Sequence, residues 1–317
     1  MPLSVFARLV AGVFFLVWLG GCAAPQTQSL LESANPTQLP PRVELDKVKF
    51  YPQETHQCGP ASLAMVLDAA GVKVTPQDLV KQVYLPSREG SLQLEMLAAA
   101  RRNGMLAYEL APKLEDLLTE VAAGTPVIVL QNLALSWYPL WHYAVVVGYD
   151  LQRGEIILRS GLERRQAIAL STFERTWGRA GYWAMLASPP GRMPQTASEV
   201  SYVGAAIALE KSGQAGRAAS AYEAALKRWP RNLAARIGLG NAAYAMSDLR
   251  RAEEAYRQAT LDHPDSAIAF NNLAQTLADQ KRFSEALVAA NQAVSLDGPQ
   301  QADARDTLEQ IKKHMLK

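Results

Sequence analysis

The amino-acid sequence predicts two folded domains of different class, an α+β domain followed by an all-α array of repeats. The 317 residues exceed what a single core of ordinary size usually organises. Residues 46–188 mix helical patterns with strands rich in β-branched residues, whereas residues 199–317 show helical patterns that recur at a constant spacing. Between them, residues 189–198 begin Pro-Pro-Gly and are predicted to form a linker.

Composition places the chain among globular proteins. Apolar residues make up 49% and charged residues 20%, with a formal net charge of +2. This balance argues against a disordered chain and against nucleic acid as a partner. The two cysteines, Cys22 and Cys58, are too few for a disulfide framework or a four-ligand zinc site. Such a framework and such a zinc site are therefore not expected.

Residues 1–21 have the layout of a signal peptide. Arg8 precedes an apolar run over residues 9–19, which is about half the roughly 20 residues that a membrane-spanning helix needs. Residues 19–22, Leu-Gly-Gly-Cys, resemble the lipobox of bacterial lipoproteins, in which the cysteine thiol takes a diacylglycerol. The resemblance implies lipidation of Cys22, and Ala23 in place of aspartate implies an outer-membrane lipoprotein facing the periplasm of a Gram-negative cell. The alternative is an ordinary secreted protein.

Residues 22–45 are expected to form a lipidated tether. The stretch 23–42 holds four prolines and no sustained periodicity. A flexible chain of this length spans about 25 Å root-mean-square. Such a tether would let the folded part stand off from the membrane.

The α+β domain is predicted to begin with helices and to continue with strands. Capping residues, prolines at the first turn and glycines at the end mark most of the helices. They are predicted over Gly59–Ala70, from Thr75 to about Tyr84, from a Ser91 cap to Arg102, and over Lys113–Ala123. Strands are predicted over Val127–Gln131, His142–Tyr149, Glu155–Arg159 and Tyr182–Leu186. A cysteine at the start of the first helix and a histidine at the start of a later strand is the order of papain-like folds.

The second half of the chain repeats at a spacing of 34 residues. The columns are Ala206/Gly240/Ala274, Ala218/Ala252/Ala286, Ala225/Ala259/Ala293, Tyr222/Tyr256 and Pro230/Pro264. Small residues at helix contacts and a proline after the second helix, at this period, match the tetratricopeptide repeat. We expect three repeats, a capping helix over Gln301–Lys317 and a face that binds a peptide or a protein partner. The alternative is that the array only docks on the first domain.

Cys58 and His142 are the candidate nucleophile and base. The amides and the positive dipole end at the start of the predicted Gly59–Ala70 helix favour thiolate over thiol at Cys58. A thiol nucleophile also needs a proton acceptor. Of the four histidines, His263 and His314 lie in the repeats and His56 is two residues from the cysteine. His142 is the candidate that remains.

The sequence resembles the peptidases that remove double-glycine leaders from bacteriocins. The resemblance covers roughly residues 46–187 and rests on Gln53, Cys58-Gly59-Pro60-Ala61-Ser62 and the segment from His142 to Asp150. It is greatest to stand-alone lipoprotein relatives that carry tetratricopeptide repeats. It implies that Cys58 is the nucleophile, that His142 is the general base and then the general acid, and that Gln53 donates to the oxyanion. In the family that glutamine usually lies six positions before the cysteine, whereas Gln53 lies five positions before Cys58, so Gln57 is an alternative donor.

The third catalytic position departs from this family. The family carries aspartate or asparagine in the strand after the histidine, where this chain has Ser160. A hydroxyl can orient the imidazole, but it cannot stabilise an imidazolium as a carboxylate does. The replacement puts the activity in question.

The sequence thus predicts a periplasm-facing lipoprotein whose papain-like cysteine peptidase domain hydrolyses peptide bonds through a thioester and whose repeats bind a peptide or protein. This thiol chemistry at Cys58 needs no metal or organic cofactor. Its partners would be a peptide or protein substrate, a protein on the repeats, and the membrane through the lipid anchor. The alternatives are a catalytically inactive peptide-binding adaptor and a thiol acyltransferase resembling transglutaminases. The aromatic residues Trp137, Tyr138 and Trp141 have two interpretations, a substrate groove beside His142 or packing under a loop.

Overall fold

The computed structural model describes residues 24–32, 39–53, 57–296 and 301–316. Two compact units are present. The first comprises the described residues up to 69 together with 73–91 and 109–186, and the second comprises 70–72, 92–108 and the described residues from 187 onward. The predicted signal peptide and Cys22 lie outside the described residues. Within the described ranges, no helix combines the length and the apolarity that crossing a membrane requires.

A seven-stranded sheet provides the β layer of the fold. Its strands are β1 (Arg42–Glu44), β2 (Leu106–Glu109), β3 (Val127–Asn132), β4 (Trp141–Asp150), β5 (Glu155–Ser160), β6 (Glu163–Ala169) and β7 (Ala184–Ser188). The order is β2-β7-β3-β4-β5-β6, and β1 pairs with β4. The β1–β4, β3–β4, β4–β5 and β5–β6 pairs are all antiparallel.

Strand β4 is the central element of this sheet. Its Val145–Val147 run is fully buried, as expected for a β-branched strand with neighbours on both sides. Gly148 allows β1 to approach, because a Cβ there would lie 2.4 Å from the carbonyl oxygen of Val43. Antiparallel pairing with β5 brings the start of β4, at His142, near the end of β5, at Ser160.

Six helices of the described chain precede the repeats. They are α1 (Pro25–Glu32), α2 (Cys58–Ala69), α3 (Pro76–Val83), α4 (Gln93–Arg102), α5 (Leu114–Ala122) and α6 (Leu170–Gly178). Helix α2 packs against β3 and β4, and all nine residues from Gly59 to Leu67 are buried. An apolar helix in the core therefore fixes the position of Cys58, its first residue, against the sheet.

The predicted helices and strands of the α+β region are present with shifted ends. Thr75 forms the expected cap, since its side chain accepts from the amide of Asp78 and the Asp78 carboxylate accepts from the Thr75 amide. The prediction that Ser91 caps the next helix is wrong. Helix α4 begins at Gln93, directly after Leu92, and the Ser91 carbonyl accepts a hydrogen bond from the Tyr143 hydroxyl. Strands β2 and β6 and helix α6 were not predicted. Strand β6 begins Glu-Arg-Arg and lies at the sheet edge, so it lacks a buried apolar pattern.

The segment expected to be an irregular tether contains a helix and a strand. In α1, the amides of Gln26 and Thr27 donate to the two carboxylate oxygens of Glu174 at 3.0 and 2.6 Å. Glu174 is 1% exposed, and its charge satisfies two unpaired amides at the start of α1. Pro25 occupies the first helical position, where proline is favoured. The expectation of an irregular chain over 23–42 is therefore wrong, because part of it is bound to the first unit.

The repeats are helical pairs in the predicted register. The helices are α7 (Glu199–Lys211), α8 (Ala215–Arg228), α9 (Leu233–Ala245), α10 (Leu249–Asp262), α11 (Ala267–Asp279), α12 (Phe283–Ser295) and α13 (Gln301–Met315). All eight alanines of the three small-residue columns are completely buried. In the first column, Gly240 accommodates the Tyr256 ring, since a Cβ there would lie 2.3 Å from it. Leu308 and Ile311 join the core of the last pair, so α13 covers its apolar face as predicted.

Residues 199–317 expressed alone are expected to give a helical circular dichroism spectrum and a cooperative thermal transition. The reason is that each helix of the array packs on its neighbours in the array. A disordered spectrum would contradict this expectation.

Two glycine-to-alanine substitutions in this fragment provide a matched control. A Cβ added at Gly204 would meet no atom within 4 Å, so Gly204→Ala is expected to raise the free energy of unfolding by about 1 kcal/mol through helix propensity. Gly240→Ala is expected to lower it by about 1–2 kcal/mol, because the added methyl displaces the Tyr256 ring. If the two substitutions changed the free energy of unfolding equally, Gly240 would not pack against the Tyr256 ring in the fragment.

Candidate active site

Cys58 lies at the junction of α2 and β4. It is the first residue of α2 and is partly exposed. Desolvation raises the pKa of its thiol, and the backbone amides of Tyr143, Gly59 and Cys58 itself, which interact with the sulfur, partly oppose that rise. Pro60 has no amide hydrogen, so the amides of Cys58 and Gly59 are the donors at the start of this helix.

Burial nevertheless raises the pKa of the Cys58 thiol overall, because desolvation outweighs the three amides. The amides at the helix start favour the thiolate as predicted, but the larger, opposite effect of burial was not predicted from the sequence. A sequence shows that a cysteine begins a helix, but it does not show how much of the sulfur the sheet covers.

His142 is held by Ser160. The imidazole Nε2 lies 2.9 Å from the Ser160 Oγ, and Ser160 is 8% exposed. With Nε2–H as the donor in this hydrogen bond, Nδ1 is the unprotonated nitrogen and can act as a base. Ser160 thus contacts the imidazole of His142 directly, and its role as the third catalytic residue stays a prediction.

Burial lowers the pKa of His142, which favours the neutral imidazole. Together with the raised pKa of Cys58, this favours a resting pair of neutral thiol and neutral imidazole. Such a pair suits general-base catalysis, in which the proton leaves the sulfur as the sulfur attacks. It does not favour a preformed thiolate–imidazolium ion pair.

Gln53 connects α2, β4 and the residue after β5 through hydrogen bonds. Its side-chain nitrogen donates to the Ser62 Oγ at 3.0 Å and to the Tyr143 carbonyl at 3.2 Å. Its side-chain oxygen accepts from the Gly161 amide at 2.9 Å, and the Gly161 carbonyl accepts from the Gln53 amide at 2.9 Å. Both amide hydrogens of this buried side chain therefore have acceptors within the protein, so donation to an oxyanion would require one of these bonds to be exchanged. The oxyanion role of Gln53 stays a prediction.

Gln57, the alternative donor, precedes Cys58 directly and is partly exposed, and its carbonyl accepts from the Ala61 amide. His56 lies outside the described residues. Asp150 ends β4, far along the strand from His142, and its carboxylate accepts from the Arg153 amide. It therefore does not replace Ser160 as the partner of the imidazole.

Three groups to which the sequence analysis gave no role form hydrogen bonds with the side chain of Gln53. The Ser62 hydroxyl and the Tyr143 carbonyl hold the Gln53 amide, and Gly161 holds its oxygen. Ser62 belongs to the quoted Cys58–Ser62 motif, so its type was visible, but its partner lies 9 residues upstream. In the part of the chain that the structure describes, no three histidine, cysteine or acidic side chains are grouped as metal ligands would be.

Two family models match the chain. Residues 45–185 match the Peptidase_C39 like family, and residues 203–245 and 237–302 match the tetratricopeptide repeat. These matches confirm the resemblance that the sequence analysis gave for residues 46–187 and the predicted fold class, an α+β papain-like domain followed by an all-α repeat array. No curated protein matches the chain.

Solved structures resemble parts of the chain. A protein described as a C39-like peptidase from Bacillus anthracis is 22% identical, over 46% of this chain and 96% of its own, with a TM-score of 0.39. A double glycine motif protease from an AMS/PCAT transporter, in complex with the leader peptide, is 24% identical over 45% of this chain and 91% of its own, with a TM-score of 0.34. The Yersinia enterocolitica chaperone SycD, in complex with a peptide of the translocator YopD, is 19% identical over 38% of this chain and 98% of its own, with a TM-score of 0.36.

Proposed function

We propose that this chain, a Peptidase_C39 like domain followed by tetratricopeptide repeats, is a cysteine peptidase that hydrolyses peptide bonds. The observation that supports this most is the hydrogen bond between the His142 Nε2 and the Ser160 Oγ. When Nε2 is the donor in this hydrogen bond, Nδ1 is unprotonated and can act as a base. His142 lies on β4, and the amide of the next residue, Tyr143, contacts the Cys58 sulfur.

The proposed reaction moves one proton through His142. The imidazole Nδ1 takes the Cys58 proton while the sulfur attacks the scissile carbonyl carbon, and backbone amides at the start of α2 stabilise the oxyanion. His142 then returns the proton to the departing amine, which leaves a thioester on Cys58. A water molecule, deprotonated by His142, attacks the thioester carbonyl, and the acid product leaves as the thiol is restored.

Hydrolysis can be tested in water labelled with oxygen-18. The protein is incubated with a pool of peptides, and new termini are identified by mass spectrometry, with Cys58→Ala as the control. Hydrolysis places the heavy oxygen in the new carboxyl group. Transfer to an added amine without the label would instead favour the acyltransferase, and no reaction in either case would favour the adaptor.

The inactive peptide-binding adaptor is retained as a second candidate on the basis of Ser160. A neutral hydroxyl there stabilises the imidazolium less than a carboxylate does. In addition, both amide hydrogens of Gln53 are already bonded to Ser62 and Tyr143. The repeats support binding in either case, and we propose that they bind a peptide or a protein.

We further propose that Cys22 is acylated and holds the protein at the periplasmic side of the outer membrane. The lipobox-like tetrapeptide after the apolar run supports this. Cys22→Ala is expected to abolish metabolic labelling with a palmitate analogue. Cys58→Ala, which removes the other cysteine, is the matched control and should label like the parent chain. Equal labelling of Cys22→Ala and parent would remove the lipoprotein proposal.

A further inference from the structure

The loop between β3 and β4 presents apolar side chains to solvent. We use the name β3–β4 loop for residues 133–141, that is, the connection 133–140 together with Trp141, the first residue of β4. Trp137 is 81% exposed and Tyr138 is 73% exposed, and the segment contains no charged residue. The other large apolar side chains of the loop, all about half exposed, are Leu133, Leu135, Leu140 and Trp141. A soluble surface rarely exposes so many large apolar groups together unless they bind something.

Hydrogen bonds to Asn132 fix the shape of this loop. The buried Asn132 side-chain oxygen accepts from the amides of Ala134 and Leu140, both at 3.0 Å, and its nitrogen donates to the Leu135 carbonyl at 3.2 Å. The Leu133 amide also donates to the Leu140 carbonyl. The backbone therefore holds the aromatic rings outward. Packing under a loop, one of the two interpretations of these rings, is excluded by their exposure.

Helix α6 connects the start of the described chain to the residue that precedes the loop. Its Glu174 accepts from the amides of Gln26 and Thr27, and Arg179, which directly follows the helix, donates from its guanidinium to the Asn132 carbonyl. Five residues of this segment span about 7.5 Å. Cys22 precedes Gln26 by four residues, which is at most about 14 Å of extended chain. Acyl chains on Cys22 would therefore bring a bilayer to the part of the first unit that holds α6 and the end of β3.

We propose that the β3–β4 loop inserts into the interface of the phospholipid bilayer. Tryptophan and tyrosine favour this interface because their rings are apolar and their N–H and O–H groups stay hydrated. A peptide groove is less consistent with the geometry, because side chains that line a groove are largely covered, whereas Trp137 and Tyr138 project. Insertion would also place His142, which directly follows the loop, beside the membrane surface.

The inference rests on the proposed function only in assuming a membrane, and its test is independent of acylation. The full chain is bound to vesicles of phosphatidylethanolamine and phosphatidylglycerol whose acyl chains carry bromine, which quenches nearby tryptophan. The double variant Trp137→Phe/Trp141→Phe keeps the loop apolar but removes both of its tryptophans. Trp229→Phe, in the repeats, is the matched control. Acylation of Cys22 and vesicle co-sedimentation are measured separately.

We expect the brominated vesicles to quench the parent chain and the Trp229→Phe variant, and the quenched part of the emission to fall at least about twofold in the double variant. Sedimentation with the vesicles without quenching, or equal quenching in the parent and the double variant, would overturn the loop proposal and leave lipidation intact. The loop proposal would also be overturned if the full chain did not sediment with the vesicles. Loop-dependent quenching of a chain without acyl groups would support the loop while contradicting the lipoprotein proposal.

Discussion

Cys58→Ala is expected to abolish peptide hydrolysis, and His142→Ala is expected to lower it by about a hundredfold or more while leaving the pH dependence of Cys58 alkylation nearly unchanged. Loss of the sulfur removes the group that forms the thioester. Loss of the imidazole removes a general base, whose contribution is typically about 10²–10⁴-fold in rate. The two variants therefore separate the role of the nucleophile from that of the base.

The unchanged alkylation profile follows from the neutral resting pair. Because burial raises the pKa of the Cys58 thiol, its reaction with iodoacetamide should increase only at a higher pH than the reaction of a free cysteine thiol does. A neutral His142 adds no charge that would stabilise the thiolate. Removing the ring therefore leaves the thiol pKa where desolvation and the backbone amides set it.

Alkylation rates across pH, measured by mass spectrometry, test this expectation, and circular dichroism verifies that each variant folds. His263→Ala, in the repeats, is the matched control and should retain both hydrolysis and the alkylation profile. If the parent thiol instead titrates near neutral pH, and His142→Ala moves that titration upward, a thiolate–imidazolium pair exists and the neutral-pair interpretation fails.

Local patterns made much of the fold predictable. The 34-residue columns predicted the repeat register because each small residue meets a neighbouring helix of the array, and all of their alanines are buried. The Thr75 cap and β4 were predictable because their signals lie within a few adjacent residues. Strand β6 was missed because its charged start gives no apolar alternation.

Contacts distant in sequence account for what could not be predicted. The docking of α1 depends on Glu174, 148 residues from Gln26, and no local pattern pairs a proline-rich segment with a buried acid. The candidate site shows the same limit. Cys58 and His142 were identifiable by residue type and order, whereas the desolvation that reverses the expected pKa of Cys58 depends on how the sheet covers the sulfur.

Substitutions at Ser160 are expected to change the rate in opposite directions. Ser160→Ala removes one neutral hydrogen bond to His142, worth about 0.5–1.5 kcal/mol, and should lower hydrolysis roughly two- to tenfold. Ser160→Asp places a carboxylate beside Nε2, which should raise the pKa of His142 and stabilise the imidazolium formed during the reaction. The rate should therefore increase, provided that the gain exceeds the cost of burying the charge.

Ser160→Asn separates charge from geometry, because its amide oxygen can accept from Nε2–H at nearly the same size as aspartate but without charge. We expect this variant to hydrolyse like the parent and to leave the pKa of His142 where burial sets it. The pKa is measured by NMR titration of the imidazole, alongside the hydrolysis rate. If Ser160→Asp folds but shifts neither quantity, the hydroxyl does not act on the imidazole, and catalysis would depend on Cys58 and His142 alone.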